Sequence, residues 1–215
     1  MSNKTHTYSG KDYDISYDGG LCIHAGECVR GSKAFDPEAK PWIDPDAAAL
    51  EEAEAVVARC PSGALRVTRS GTSQPIEAPS ENIVTVSPSG PLYVSGTLKI
   101  ELPDGTEISD MRRAALCRCG LSKNKPFCDN SHVDSEFDDA GAVAESCDTA
   151  DAATGPLRIK TAPDGPLLLS GELKVRAASG RDALADGRAF LCRCGHSANK
   201  PFCDGSHKEK GFTAP

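Results

Sequence analysis

Apolar residues in the second half of the chain fall in short runs that are typical of strands. The stretches "LYVSGTLKI" (residues 92–100) and "LLLSGELKV" (residues 167–175) each hold two runs of Leu, Val or Ile around a Ser-Gly pair. Each stretch therefore predicts two short strands that flank a turn. The later runs "AALCRC" from Ala114 and "AFLCRC" from Ala189 predict further strands that lead directly into pairs of cysteines.

The N-terminal region predicts a different, smaller unit. The runs "YDISY" (residues 13–17) and "ALRV" (residues 64–67) predict strands. Between them, "DPDAAALEEAEAVVAR" predicts one helix, capped near Asp44 or Asp46 and ending at Cys60-Pro61. The expected result is a compact α+β unit.

One structural unit occurs twice in the second half of the chain. The stretch "CRCGLSKNKPFCDNSH" at residues 117–132 returns as "CRCGHSANKPFCDGSH" at residues 192–207, 75 positions later. The strand-forming stretches upstream keep this offset, and downstream Phe137 corresponds to Phe212. A gapless match of this length indicates duplication of a structural unit. A unit of about 70 residues has a thin core, so a bound metal centre in each repeat is expected to stabilise it.

Each repeat carries three cysteines and one histidine in the pattern C-x-C-x8-C-x3-H. A single cysteine or histidine is usually an ordinary core or loop residue, but the same set repeated at identical spacing favours metal ligands. Cys3His is an accepted zinc set, although zinc sites usually place two to four residues between their first two cysteines. Here one arginine separates them, which suits one iron of a two-iron cluster, with the later pair on the other iron. The candidate ligands are Cys117, Cys119, Cys128 and His132 in the first repeat, and Cys192, Cys194, Cys203 and His207 in the second.

Both motifs resemble the signature of the CDGSH iron–sulfur domains, the mitoNEET-like proteins. The cysteines, the histidines, Ser122 and Ser197, and Pro126 and Pro201 fall in place. The resemblance implies that each motif binds one [2Fe–2S] cluster through three cysteines and one histidine. It further implies which iron each ligand holds: Cys117 and Cys119 the inner iron of the first cluster, Cys128 and His132 its outer iron, Cys192 and Cys194 the inner iron of the second cluster, and Cys203 and His207 its outer iron.

The first motif departs from the signature at one position, and the histidine ligand gives both motifs a distinct chemistry. Asn130 stands where the second motif has Gly205. Asn tolerates a left-handed backbone better than most residues, so this departure weakens the first site little. A neutral imidazole in place of a thiolate raises the potential of a cluster. It also adds a ligand that titrates near neutrality, so the clusters are expected to be acid-labile.

Three further cysteines, Cys22, Cys28 and Cys60, suggest a third cluster. Bacterial ferredoxins use C-x2-C-x2-C and a distant Cys-Pro; here Ala25 replaces the middle cysteine and Cys60-Pro61 is present. Residues 8–68 resemble the divergent mono-cluster ferredoxin domains of bacteria, which implies a [4Fe–4S] cluster. Three thiolates would suit [3Fe–4S], or [4Fe–4S] with a non-cysteine ligand. His24 lies beside the gap and could serve as this ligand, although the sequence alone favours an ordinary loop histidine.

The predicted fold class is α+β with three domains. Residues 1–75 are expected to form the ferredoxin-like mono-cluster domain, residues 76–145 the first CDGSH domain, and residues 146–215 the second. The two β-rich CDGSH units are expected to pack face to face as a pseudo-dimer within one chain. The acidic stretch from Val133 to Gly155 is interpreted as a linker, and Cys147 within it as a free thiol.

Composition narrows the cellular setting. A net charge of −7 disfavours non-specific binding to nucleic acid or anionic lipid. The N-terminal sequence lacks the apolar region of a secretory signal, and no apolar run reaches membrane-spanning length. A cytoplasmic location is therefore expected, where the ten cysteines favour metal ligands over disulfides.

Three clusters on one chain favour electron transfer. No nucleotide-binding fingerprint or catalytic triad is visible, so the protein is not expected to be an enzyme. A redox partner protein is implied but not identified by the sequence, and a monomer with an internal pseudo-dimer is expected. One alternative is a cluster donor, store or redox sensor that uses the labile histidine-ligated clusters. The other alternative is a structural zinc protein that binds partners through its surface.

Overall fold

The computed structural model describes residues 5–70, 81–143 and 155–215. The chain divides into two compact units, Met1–Glu77 and Ala78–Pro215. The second unit contains both repeats. The predicted boundaries at 75/76 and 145/146 fall outside the described residues, so the three-domain division stays a prediction.

The first unit is an antiparallel sheet with short helices. The sheet has strand order β1-β2-β3, with β2 in the middle. Its elements are β1 (Thr5–Ser9), β2 (Tyr13–Asp18), α1 (Glu27–Gly31), a 3-10 helix (Pro45–Ala47), α2 (Leu50–Arg59) and β3 (Leu65–Arg69). Strand β2 contains the predicted strand 13–17, and β3 begins one residue after the start of the predicted strand 64–67, whereas β1 and α1 were not predicted. The structure supports an α+β description, and the finer ferredoxin-like arrangement stays a prediction.

The predicted helix between these strands is divided in two. Asp44 caps only the 3-10 helix, where its side chain accepts a hydrogen bond from the amide of Asp46. The Tyr13 hydroxyl donates to the carbonyl of Ala48 at 2.8 Å, and Ala48 is extended. This long-range contact uses a carbonyl that one continuous helix would bond internally, so α2 begins only at Leu50.

The core of the first unit lies between its sheet and α2. Apolar side chains of the central strand face the apolar side of this helix, which gives a thin but continuous core. The most completely buried members are Ile15, Ala34, Ile43, Ala53 and Val56.

The second unit is one six-stranded sheet built by both repeats. The first repeat contributes β4 (Ile83–Val86), β5 (Leu92–Glu101) and β6 (Glu107–Leu116). The second contributes β7 (Leu157–Thr161), β8 (Leu167–Arg176) and β9 (Asp182–Leu191), followed by α3 (Ser206–Glu209). Within each repeat the three strands pair antiparallel, so the repeats have the same internal topology.

The two repeats exchange strand pairing. Strand β4 pairs with β5 of its own repeat and runs parallel to the end of β8 of the other repeat. Strand β7 in turn pairs with β8 and runs parallel to the end of β5. Cys119 and Cys194, which occupy equivalent positions, form an isolated antiparallel bridge. The repeats are therefore in direct contact, and each repeat pairs its first strand with the central strand of the other repeat.

The Ser-Gly pairs are bulges rather than the predicted turns. Burial alternates without a break along β5, so one strand runs through Ser95 and Gly96. Its pairing with β6 gains one extra residue after Ser95, which defines a β-bulge. Gly96 has a φ of 140°, and a Cβ there would lie 2.2 Å from Oδ1 of Asn82. The glycine makes room for Asn82, whose side chain accepts from the amide of Thr97 at 2.9 Å.

The first part of the predicted linker packs onto the first repeat. Asp139 pairs with the buried Arg118, Phe137 lies against the same guanidinium, and Val143 is buried. These residues complete the first repeat instead of merely joining the two. Cys147 lies outside the described residues. Among the helices that the structure does describe, none combines the length and apolar character of a membrane span.

Candidate metal centres

The first repeat brings its four candidate ligands together as two pairs. Strand β6 ends at Leu116 and delivers Cys117 and Cys119, whose sulfurs are 3.8 Å apart. A turn after the strand then places Cys128 Sγ 3.5 Å from Nδ1 of His132. Cys117 and Cys128 are buried, whereas Cys119 and His132 are half-buried. The histidine side of this site is thus open to solvent.

The second repeat reproduces this geometry. Cys192 and Cys194 follow β9 and have sulfurs 3.5 Å apart. Cys203 Sγ lies 3.4 Å from Nδ1 of His207. Cys203 precedes α3 by three residues, and His207 lies within this helix. Here both strand cysteines are buried, and Cys203 and His207 are half-buried.

The ligand pairs have the separation of two donors on one metal. Two thiolates at about 2.3 Å from a tetrahedral metal lie about 3.8 Å apart, which matches the Cys-Cys pairs. Within the described ranges, no three His, Cys, Asp or Glu side chains converge on a point that one metal ion could occupy. The candidate donors of each repeat thus lie as one Cys-Cys pair and one Cys-His pair.

Burial and backbone amides act in opposite directions on these thiols. Burial raises the pKa of Cys128 and of Cys194 to about 11, so both are thiols near neutrality without a metal. The amides of Asn130 and His196 donate to these sulfurs at 3.4 and 3.5 Å. Such donors would stabilise the thiolate form that a bound metal requires, and metal binding would therefore release protons.

A buried arginine between the first two cysteines supports each site. Arg118 and Arg193 are only 2% and 1% exposed. Arg118 donates to the carbonyls of Gly90 and Ser87 and to Asp139 Oδ1, the last at 2.7 Å. Sequence reasoning treated both arginines as spacers. Their identity in both repeats was the available signal, because a mere spacer has no reason to recur.

The second arginine has the same position but different partners. Arg193 donates to the carbonyls of Gly165, Ala162 and Pro215 at 2.6, 2.7 and 2.9 Å. Ala214 takes the place that Asp139 has in the first repeat. Burial lowers the pKa of Arg193.

An Asp-Ser pair shapes the loop that carries each histidine. Asp204 accepts from the hydroxyl of Ser206 at 2.6 Å and from the amide of Ala198 at 2.7 Å. These hydrogen bonds hold the pKa of Asp204 well below its ordinary value. Gly205 is the N-cap of α3, and Asp204 precedes it.

Two glycines let the cluster loops of the repeats touch. Gly120 and Gly195 have φ values of 84° and 85°. A Cβ on Gly120 would lie 2.5 Å from the carbonyl oxygen of Cys194, and one on Gly195 would lie 2.6 Å from that of Cys119. Only glycine fits this contact, because both the backbone angle and the space exclude a side chain.

The three N-terminal cysteines line one cavity of the first unit. Its volume is about 380 Å³, and Cys22, Cys28 and Cys60 all contribute to its wall. Ala25 and His24 also line it. Cys22 and Cys28 are half-buried and Cys60 is buried. Unlike a single-ion site, this arrangement surrounds a space, which suits a larger inorganic group.

Aromatic side chains close one side of this cavity. The ring of Tyr17 packs edge-on against Trp42 with centroids 5.0 Å apart. Burial, followed by a hydrogen bond with Cys22, raises the pKa of Tyr17, so the phenol stays protonated. Burial also raises the pKa of Cys28. The site is thus partly shielded from water.

Three stretches of the chain match known family models. Residues 8–70 match the family described as "Divergent 4Fe-4S mono-cluster". Residues 89–133 and 164–208 each match the family described as "Iron-binding zinc finger CDGSH type". The chain is a tandem CDGSH protein with an N-terminal mono-cluster domain. The resemblance predicted from sequence is confirmed at this level.

Two curated relatives of the tandem CDGSH protein come from Escherichia coli. The "Uncharacterized protein YjdI" of strain K12 is 42% identical over 60 residues, which are 27% of this chain and 79% of the relative. YjdI of strain O157:H7 matches to the same extent. The names of these relatives state no activity.

The donor sets of the tandem CDGSH protein fit iron–sulfur binding. All nine cysteines in the described residues are free of disulfides. In each CDGSH repeat the sulfur and imidazole donors face each other in pairs, and the N-terminal thiols face a common cavity. Every ligand predicted from sequence thus lies in one of three sites.

Removing Asp139 is expected to destabilise the tandem CDGSH protein strongly. In Asp139→Ala the guanidinium of Arg118 stays buried without its carboxylate, which should cost about 3 kcal/mol. Denaturant unfolding followed by circular dichroism measures this loss. Asp138→Ala is the matched control, since Asp138 is exposed and accepts from the Ser89 hydroxyl. Equal losses in the two variants would show that the buried pair contributes nothing special.

Proposed function

We propose that the tandem CDGSH protein is an electron carrier with two [2Fe–2S] clusters and one cubane-type cluster. The observation that carries the proposal is the division of each repeat's ligands into a Cys-Cys pair and a Cys-His pair. Two irons bridged by sulfide need such paired terminal ligands. A single zinc ion would instead need all four donors to converge.

The repeats are proposed to hold their clusters as an internal pseudo-dimer. The parallel pairings of β4 with β8 and of β7 with β5 support this arrangement. The bridge between Cys119 and Cys194 places ligand loops of the two sites side by side. Short separations favour electron exchange, so the two CDGSH sites would act as one redox unit. A monomer follows from this arrangement and is tested by the mass in solution.

The protein groups around each site would tune and protect the clusters. Clusters supply reversible one-electron chemistry when bound. Backbone amides donate to the sulfurs of Cys128 and Cys194. Such donors stabilise negative charge and so favour the reduced state. No catalytic step is assigned to the protein.

Iron and sulfide analysis of the anaerobically purified protein tests the proposal. We expect a red-brown protein with iron and acid-labile sulfide sufficient for two [2Fe–2S] clusters and one cubane-type cluster. Reduction and reoxidation should restore the visible spectrum without loss of iron. A colourless protein with stoichiometric zinc would establish the structural zinc alternative instead.

Donation of clusters is a second candidate function, favoured by the accessibility of the outer ligands. His132 and His207 are half-buried, so another protein's thiolate can approach the irons that they would hold. Incubation with an apo-ferredoxin separates the two functions. Transfer of iron and sulfide at a rate that exceeds spontaneous loss supports a donor, whereas retention through repeated redox cycles supports a carrier. The redox partner is proposed to be a protein in the cytoplasm.

A further inference from the structure

The mono-cluster site has three cysteines, but a cubane with four irons needs a fourth ligand. Besides the cysteines, four residues of the cavity wall have side chains with a donor atom that can bind iron. They are Tyr17, His24, Glu27 and Ser62. The question is which of these completes the site.

Three of these four side chains are committed to other contacts. Glu27 Oε2 lies 3.7 Å from Nε of Arg59. Ser62 is buried, and its hydroxyl accepts from the amide of Ala64 at 3.4 Å and lies 3.8 Å from Cys60 Sγ. Tyr17 is held against Trp42 and contacts Cys22 through its hydroxyl. Each of them supports the cavity or its sulfurs.

His24 is placed differently from the other three. Its Nδ1 lies 4.0 Å from Cys22 Sγ, close to the Cys-His separations of 3.5 and 3.4 Å in the two CDGSH motifs. Its own amide donates to Cys22 Sγ at 3.4 Å. The two CDGSH motifs thus give the sulfur–nitrogen distance of a cysteine and a histidine proposed to bind one iron. The distance from Cys22 to His24 is close to this value.

The backbone at His24 is held in an unfavourable conformation. Its φ is 50°, in the left-handed region that residues with a side chain seldom adopt. Such strain persists where the surrounding structure requires it, and it concentrates at functional sites. Here the left-handed turn keeps the imidazole on the same side of the loop as Cys22.

We propose that His24 is the fourth ligand of a [4Fe–4S] cluster that Cys22, Cys28 and Cys60 also bind. This inference rests on the proposed presence of a cubane-type cluster in the first unit. In this proposal the imidazole of His24 takes the role of the cysteine that is missing at position 25. One neutral ligand makes this cluster less negative than a four-cysteine cluster, so its potential is higher.

Nitrogen hyperfine spectroscopy tests the ligand directly. The background is the full chain with His132→Cys and His207→Cys, so that no CDGSH site has a nitrogen ligand. With 15N-labelled histidine, we expect the reduced mono-cluster signal to show a strong 15N coupling. The coupling should vanish in the further variant His24→Cys, while the cluster stays and its potential falls. A retained mono-cluster signal without coupling in the background protein would overturn the assignment.

A second test needs no change at the CDGSH motifs. In His24→Ala, we expect loss of one iron and an EPR signal of oxidised [3Fe–4S], since oxidised [2Fe–2S] clusters are silent. Adding Ala25→Cys to this variant should restore the four-iron cluster, because a thiolate at the ferredoxin position replaces the imidazole. His6→Ala is the matched control and should behave like the parent. A parental spectrum and potential in His24→Ala would refute ligation by His24.

Iron content separates failure of this inference from failure of the proposed function. If the parent protein contained iron for the two CDGSH clusters alone, the first unit would hold no cluster, and His24 would not be a ligand. Iron for all three clusters without the nitrogen coupling would remove only the role of His24.

Discussion

Replacing His132 and His207 by cysteine is expected to abolish the acid-triggered loss of both [2Fe–2S] clusters. In the parent, protons compete with iron for the imidazole, so bleaching should accelerate as the pH falls below about 6.5. Burial and the nearby Arg118 lower the pKa of His132, which moves its protonation further towards acid. A cysteine ligand has no comparable titration in this range, and its extra negative charge should lower both potentials.

Stopped-flow absorbance between pH 5 and 7 measures the rate of bleaching. The hydrogen-bonded Asp204 cannot be the trigger in this window. Its pKa is lowered, so its stabilising effect is complete above the ordinary carboxyl range and is lost only at far lower pH. The single variants should each protect one cluster. Bleaching of the double variant at the parental rate would show that histidine protonation does not release the clusters.

The second large effect is expected at the glycines where the repeats meet. Gly195→Ala should destabilise the second unit by about 3 kcal/mol, from the left-handed backbone together with the contact with the Cys119 carbonyl. Thermal unfolding of the holoprotein should then begin several degrees lower, with earlier loss of visible absorbance.

Gly205→Ala is the matched control for the backbone effect alone. Gly205 has a φ of 89°, similar to that of Gly195, but a Cβ there meets nothing within 4 Å. Its replacement should cost about 1 kcal/mol, and Gly205→Asn less, since Asn130 has a φ of 69° at the equivalent position. Equal destabilisation by the two alanines would mean that the inter-repeat contact adds no energy.

The grouping of the candidate ligands could be predicted from sequence because local spacing determines it. Cys117 and Cys119 follow a strand directly, and a four-residue separation brings Cys128 to His132 within one turn. Repetition at a fixed offset made these positions certain to belong together. The same reasoning placed Cys22, Cys28 and Cys60 in one site, although they are far apart in the chain, because ferredoxins provide the frame.

Long-range contacts were beyond the sequence pattern. Nothing local distinguishes a Ser-Gly turn from a bulge, since the choice depends on Asn82 reaching across to Thr97. The break before Leu50 depends likewise on the hydroxyl of Tyr13. The acidic composition of the segment after Val133 suggested a linker, because only the fold shows that Asp139 meets a buried arginine. The pairing of β4 with β8 and of β7 with β5 is also a property of the assembled sheet.

Because the two CDGSH repeats are joined in one chain, their sequences can differ. A homodimer must present the same residues at both of its sites, whereas each half of this chain can acquire substitutions of its own. The chain has used this freedom beside the candidate sites: Arg118 faces the carboxylate of Asp139, whereas Arg193 has Ala214 at that place and bonds to main-chain oxygens. Symmetry in the backbone thus coexists with different partners for the two buried arginines. Nothing in the architecture obliges the two centres to share one potential, and a difference between them would give electrons a preferred direction.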